Sequence, residues 1–150
     1  MIYLDAAATS YQKPLEVYAR AGAAMASLCA NPGRSGHRPA LEAGRAVYAV
    51  REQAAAFFGV SDPDRVVFTS NATDGLNLAV QGMARPGGHI VVTSMEHNSV
   101  LRPVKALEAR GVSHTVVWGD PVTGAVTAGQ IEAALRSETV LVVCTHAANT

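Results

Sequence analysis

Cysteine is scarce in this chain, with only Cys29 and Cys144 among 150 residues. The two form no CxxC pair and no metal-ligand spacing, which argues against a disulfide framework and against a zinc motif. Each is expected to be a small buried apolar residue, and a reducing cytoplasm is the expected location. Aromatic residues make up only 5% of the chain, which leaves few stacking platforms for single-stranded nucleic acid. Neither sign of charge is in excess, since Lys+Arg and Asp+Glu number 12 each. No electrostatic field therefore calls for a nucleic-acid or membrane partner. No apolar run approaches the ~20 residues of a membrane span. The opening stretch has an early acid, Asp5, and no basic run, so it does not read as a signal peptide. A Walker motif, a GxGxxG and an internal repeat are all missing. His37, His89, His114 and His146 do not pair at metal-ligand spacing, and no metal is expected. The carboxylates are scattered, and none forms a convincing acid/base pair.

What is present is apolar surface, at 49% of residues, enough to bury a core in about one domain. A helix is expected from near Pro14 to Cys29, because proline suits a first helical turn. The segment from Asn31 to His37 is dense in turn formers. A second helix follows, with Leu41, Val47, Val50, Ala54 and Phe57 or Phe58 at helical spacing, and Gly59 is placed to end it. From there strands and helices alternate. Val66–Thr69 reads as a buried strand, 72–84 as a helix and His89–Ser94 as a second strand. Pro103–Gly111 reads as a helix entered by a turn at Asn98, and Thr115–Trp118 as a third strand. Ile131–Leu135 lies on a short helix and Val140–Thr145 is a fourth strand. Short apolar strands alternating with helices define an α/β fold, a mostly parallel sheet with helices on both faces. Ligands of such sheets bind at the carboxyl ends of the strands.

Three places at those ends can carry chemistry. Helix 72–84 starts with Ala72 and Thr73 after the capping residue Asn71, and its unpaired N–H groups and dipole favour an anion. Read alone, this is more often an ordinary capped helix, with Asp74 complementing the dipole. Glu96 and His97 stand just past a strand tip, where an imidazole can stack on a planar ring or move protons. A lone loop histidine is more often a hydrogen-bonded surface residue. Asn149 follows the last strand, and a side-chain amide can hold a ring hydroxyl.

Taken together, four segments are more specific than any one. Tyr3–Thr9 resembles the YLDNAATT opening of cysteine desulfurases, with Ala6 in place of the Asn. Asn31–His37 resembles the family's loop before its long helix. Phe68–Asn77 resembles FTSGATEANN, with Asn71 for Gly and Asp74 for Glu. Glu96–Val100 resembles the EHNS or EHPAV segment. The whole chain thus resembles the N-terminal part of the class V aminotransferase and cysteine desulfurase family.

The resemblance implies part of the large domain of a fold-type I enzyme dependent on pyridoxal 5'-phosphate. An arm and helices would occupy residues 1–60 and the start of the large α/β domain 61–150. The rest of that domain and a small C-terminal domain would follow. It implies conversion of L-cysteine to L-alanine, with the sulfur passed on as a persulfide. Ala72 and Thr73 would bind the cofactor phosphate, His97 would stack on the pyridine ring and Asn149 would bond its phenolic oxygen. Ala7 and Ala8 would lie near the substrate entrance. The Schiff-base lysine and the persulfide cysteine would lie beyond Thr150. Lys13 and Lys105 do not match that lysine, nor Cys29 and Cys144 that cysteine, so these 150 residues alone would be inactive. A homodimer and a sulfur-acceptor protein are further implied partners. Transamination, selenocysteine lysis and epimerisation are the alternatives within the family. A non-catalytic chain that binds a partner or a phosphate-bearing ligand is the alternative outside it.

Overall fold

Short runs of β-branched residues make the strands, and capped amphipathic stretches make the helices. The structure is a computed structural model, and it describes residues 2–4, 6, 10–33 and 36–146. Two compact units divide between Phe68 and Thr69.

The first unit contains α1 (Leu15–Ser27) and α2 (Arg38–Phe58). Pro14 precedes α1 as its cap residue. His37 caps α2, its Nδ1 accepting the Ala40 N–H at 3.3 Å. Gly59 ends α2 with φ 68°, a left-handed conformation that glycine adopts at little cost. A single 3₁₀ turn, Pro63–Arg65, follows.

The second unit runs α3 (Ala72–Met83), β1 (His89–Thr93), α4 (Asn98–Leu107), β2 (Ser113–Val117), α5 (Ala128–Ala134) and β3 (Thr139–Val143). The strands pair in parallel in the order β2-β1-β3. Central β1 is buried along its whole length. Ile90 and Val92 pack with Val80 of α3, with Val100, Val104 and Leu107 of α4, and with Val112. Each such side chain contributes about 1.5–3 kcal/mol of burial. The alternate residues His89, Val91 and Thr93 are just as buried, so β1 is covered on both faces. A Thr127/Gln130 capping box starts α5.

Several expectations need correction. Val66–Thr69 is not a strand, and Val67 and Phe68 are largely exposed. An apolar run measures a tendency to be buried, but a strand also needs a neighbour to bond, and this run has none among the described residues. Among the described residues the sheet therefore has three strands rather than four. Helix α4 begins at Asn98, five residues ahead of the expected Pro103, because His97 caps it. β2 starts at Ser113 and stops short of Trp118. Both cysteines are exposed rather than buried. Cys29 lies just past α1, which buries none of its residues, and Cys144 just past the end of β3. Among the described residues no group of three or more His, Cys, Asp or Glu could hold a metal, and no helix is long and apolar enough to cross a membrane.

Candidate cofactor site at the strand tips

Of the helix N-termini in the second unit, those of α3 and α4 carry the candidate residues. Asn71 is fully used in starting α3. Its Oδ1 accepts the Asp74 N–H at 2.9 Å, and its carbonyl accepts the Gly75 N–H at 3.2 Å and the Thr69 hydroxyl at 2.9 Å. Gly75 lets Thr69 lie close, since a Cβ there would stand 3.3 Å from the Thr69 hydroxyl. The first two N–H groups of α3, those of Ala72 and Thr73, have no hydrogen-bond partner among the described residues, nor does the Thr73 hydroxyl. Both residues are exposed. The result is a donor set with no acceptor, at the positive end of a helix.

His97 occupies the equivalent position on α4. Its Nδ1 accepts the Ser99 N–H at 3.1 Å and lies 2.9 Å from the Ser99 hydroxyl. With Nδ1 used as an acceptor, the neutral ring carries its hydrogen on Nε2. The ring is exposed.

Asn77 joins the two termini. Its amide donates to the Thr73 carbonyl at 2.9 Å, within its own helix, and to the Ser99 carbonyl of α4 at 3.4 Å. The structure thus brings Ala72, Thr73 and His97 onto one hydrogen-bonded framework. Asn149 lies outside the described residues, as do Ala7 and Ala8. Reading the sequence missed Asn77 and Ser99 as the connectors. Both fall inside the segments that carry the family resemblance, but nothing local in the sequence says that they meet.

A second framework lies immediately behind His97. Glu96 is only 8% exposed. Its carboxylate accepts the Thr93 hydroxyl at 2.6 Å, the Thr145 N–H at 2.7 Å and the Thr145 hydroxyl at 2.8 Å. Ser94 adds a tie to the segment just past β2, its hydroxyl accepting the Gly119 N–H at 3.0 Å.

The profile described as "Aminotransferase class-V" matches residues 2–150, and the chain belongs to that family. Cysteine desulfurase IscS of Aeromonas hydrophila is 40% identical over 129 residues, which are 83% of this chain and 31% of that protein. The apo cysteine desulfurase from Thermococcus onnurineus NA1 matches with a TM-score of 0.84 at 30% identity, over 99% of this chain and 37% of that one. A structure described as SspA in complex with cysteine matches with a TM-score of 0.82 at 30% identity, over 98% of this chain and 42% of that one. The chain spans about a third of the length of the curated relatives it matches.

Class V aminotransferases and cysteine desulfurases use pyridoxal phosphate. The residues present fit that group. A phosphate needs donors, and the free N–H groups of Ala72 and Thr73 supply two, with the Thr73 hydroxyl able to donate a third. A pyridine ring needs a flat partner, and His97 offers an imidazole held by its own helix cap. Neither lysine competes for a role here. Lys13 donates to the Ser10 carbonyl, and Lys105 pairs with Glu108 at 2.7 Å.

Proposed function

We propose that the protein is a pyridoxal-phosphate-dependent cysteine desulfurase and that this chain supplies the phosphate end and one ring face of its site. The observation that carries the reading is the joining of two helix N-termini through Asn77, one with free donors at Ala72 and Thr73 and one with His97. The likeness to cysteine desulfurases over nearly the whole chain supports the choice of reaction, and the cysteine complex of a similar structure supports the choice of substrate. The cofactor, when bound, supplies an electron sink. Ala72 and Thr73 would hold its phosphate by N–H donation, Thr73 would add a hydroxyl, and His97 would stack on the ring. Asn149 is assigned to the phenolic oxygen by resemblance alone. The lysine that anchors the cofactor and the cysteine that receives the sulfur are assigned to sequence outside these residues. A homodimer, a sulfur-acceptor protein and a reducing cytoplasmic setting belong to the same reading.

The test uses the protein as its native host makes it. Its intact mass is measured, then its visible absorbance, then sulfide release from L-cysteine with a reductant present. A mass above 15.6 kDa, bound pyridoxal phosphate and sulfide release are expected. Bound cofactor without sulfide release would point to another class V reaction. A protein of 15.6 kDa that binds no cofactor would sink the enzyme reading and favour a non-catalytic binding role.

A further inference from the structure

Glu96 is a buried acid with no cationic partner among the described residues. Its burial is offset only by three neutral donors, two of them from a residue 49 positions away. A buried carboxylate is a costly fastener, and apolar contacts join strands more cheaply. Its location shows what it adds. Pairing between β1 and β3 ends at Val92 opposite Val143. Beyond that point the ladder no longer holds the two chains together. Glu96 holds them there, gripping Thr93 at the tip of β1 and Thr145 just past β3. The residue after Glu96 is His97. The backbone that carries the imidazole is therefore fixed on one side by the carboxylate clamp and on the other by the Ser99 cap.

We propose that Glu96 is a positioning residue for the cofactor ring: its clamp on Thr93 and Thr145 sets the place of His97. This rests on the cofactor reading given above. The clamp predicts a difference between two substitutions. Glu96→Gln keeps a carbonyl oxygen for the Thr93 hydroxyl and the Thr145 N–H, and its amide can donate to the Thr145 hydroxyl oxygen. Glu96→Ala removes all three bonds and leaves the Thr145 N–H unpaired.

The experiment uses the full-length protein and reads two quantities at a temperature where all variants are folded. One is the hydrogen-exchange rate of the Thr145 amide without cofactor. The other is the dissociation constant for pyridoxal phosphate. Glu96→Ala is expected to speed the exchange and weaken the cofactor about tenfold or more, as loss of about 1.4 kcal/mol requires, with Glu96→Gln within about threefold of wild type. Unchanged Thr145 exchange in Glu96→Ala overturns the clamp. Faster exchange with unchanged cofactor affinity overturns the positioning role and leaves a purely structural one. If Glu96→Ala does not fold, Thr145→Val removes one donor and must weaken the cofactor about threefold, and unchanged affinity in it also overturns the proposal. Failure of the wild-type protein itself to bind pyridoxal phosphate is a different result, and it refutes the functional reading on which the proposal rests.

Discussion

His97 has two roles that substitution can separate. Its Nδ1 caps α4, and its ring is assigned to the cofactor. Asparagine is a good capping residue without a ring. His97→Asn is therefore expected to melt close to the wild type while binding pyridoxal phosphate about two- to tenfold more weakly, in line with the loss of one ring contact of about 0.5–1.5 kcal/mol. Equal affinity in the two proteins would remove His97 from the ring. His89 behaves differently, because it lies at the opposite ends of the strands. It is fully buried, with Nδ1 2.9 Å from the Thr139 hydroxyl and Nε2 2.9 Å from the Thr115 hydroxyl. Arg136 donates to both threonine oxygens, through its guanidinium to Thr115 and its backbone N–H to Thr139. Burial, then the Arg136 charge, holds the His89 pKa below its usual value, with His114 adding to the effect and Glu138 opposing it. The unfolded chain therefore binds the proton more readily, and stability must rise with pH through this range. The His89 contribution is complete above about 6.5 and is lost as pH falls from there towards the lowered folded value. Denaturant midpoints measured between pH 7.5 and 5 should fall on acidification, and His89→Ala should flatten that slope while costing about 2–4 kcal/mol at neutral pH. At this scale Ala72, Thr73 and His97 stood out as candidates, because their motifs are contiguous in the chain. The grip of Glu96 on Thr145 was not, because a spacing of 49 residues carries no periodic signal.

One polar tie between α3 and α4 uses a carbonyl that a proline in α4 leaves free. Pro103 sits inside that helix and has no N–H to give the Ser99 carbonyl one turn earlier. That carbonyl accepts from Asn77 of α3 instead. A residue that normally weakens a helix here frees the acceptor that ties two elements together. Pro103→Ala should restore a donor within α4 and make Asn77 partly redundant. Asn77→Ala is then expected to cost about 1 kcal/mol more in the wild type than in the Pro103→Ala protein, read as the coupling in a double-mutant cycle of urea unfolding. Zero coupling would mean that the 3.4 Å contact contributes nothing. The same proline explains the misplaced start of α4. Local rules place a proline in the first turn, and only the partner helix shows why an interior one is tolerated. Val66–Thr69 failed for a related reason, since apolar content was legible but the lack of a bonding neighbour was not. The strands that did form, β1 to β3, alternate with capped helices, and that repeating order made the α/β class legible in advance.

Over the whole chain, the second unit closes a core around β1 while much apolar surface elsewhere stays open. No described residue of α1 is buried, and Leu15 and Met25 are 81% and 79% exposed. Phe57 and Phe58 stack edge to face at the end of α2, yet both remain largely in water. Trp118 and Val122 are exposed beyond β2. The outer edges of β2 and β3 have no partner strand among the described residues, and an unpaired edge is a template for association. Charge gives little protection, because the net charge is zero and the sequence pI is about 7.0. Exposed apolar side chains in this number favour association with other protein surface. A polypeptide of these 150 residues made alone at pH 7 is therefore expected to self-associate. Light scattering should give a mass that climbs with concentration, and a hydrophobic dye should brighten on binding. Moving to pH 9, where net charge builds up, should reduce both signals. A sharp, concentration-independent mass of 15.6 kDa with no dye binding would show that the exposed helices need no cover.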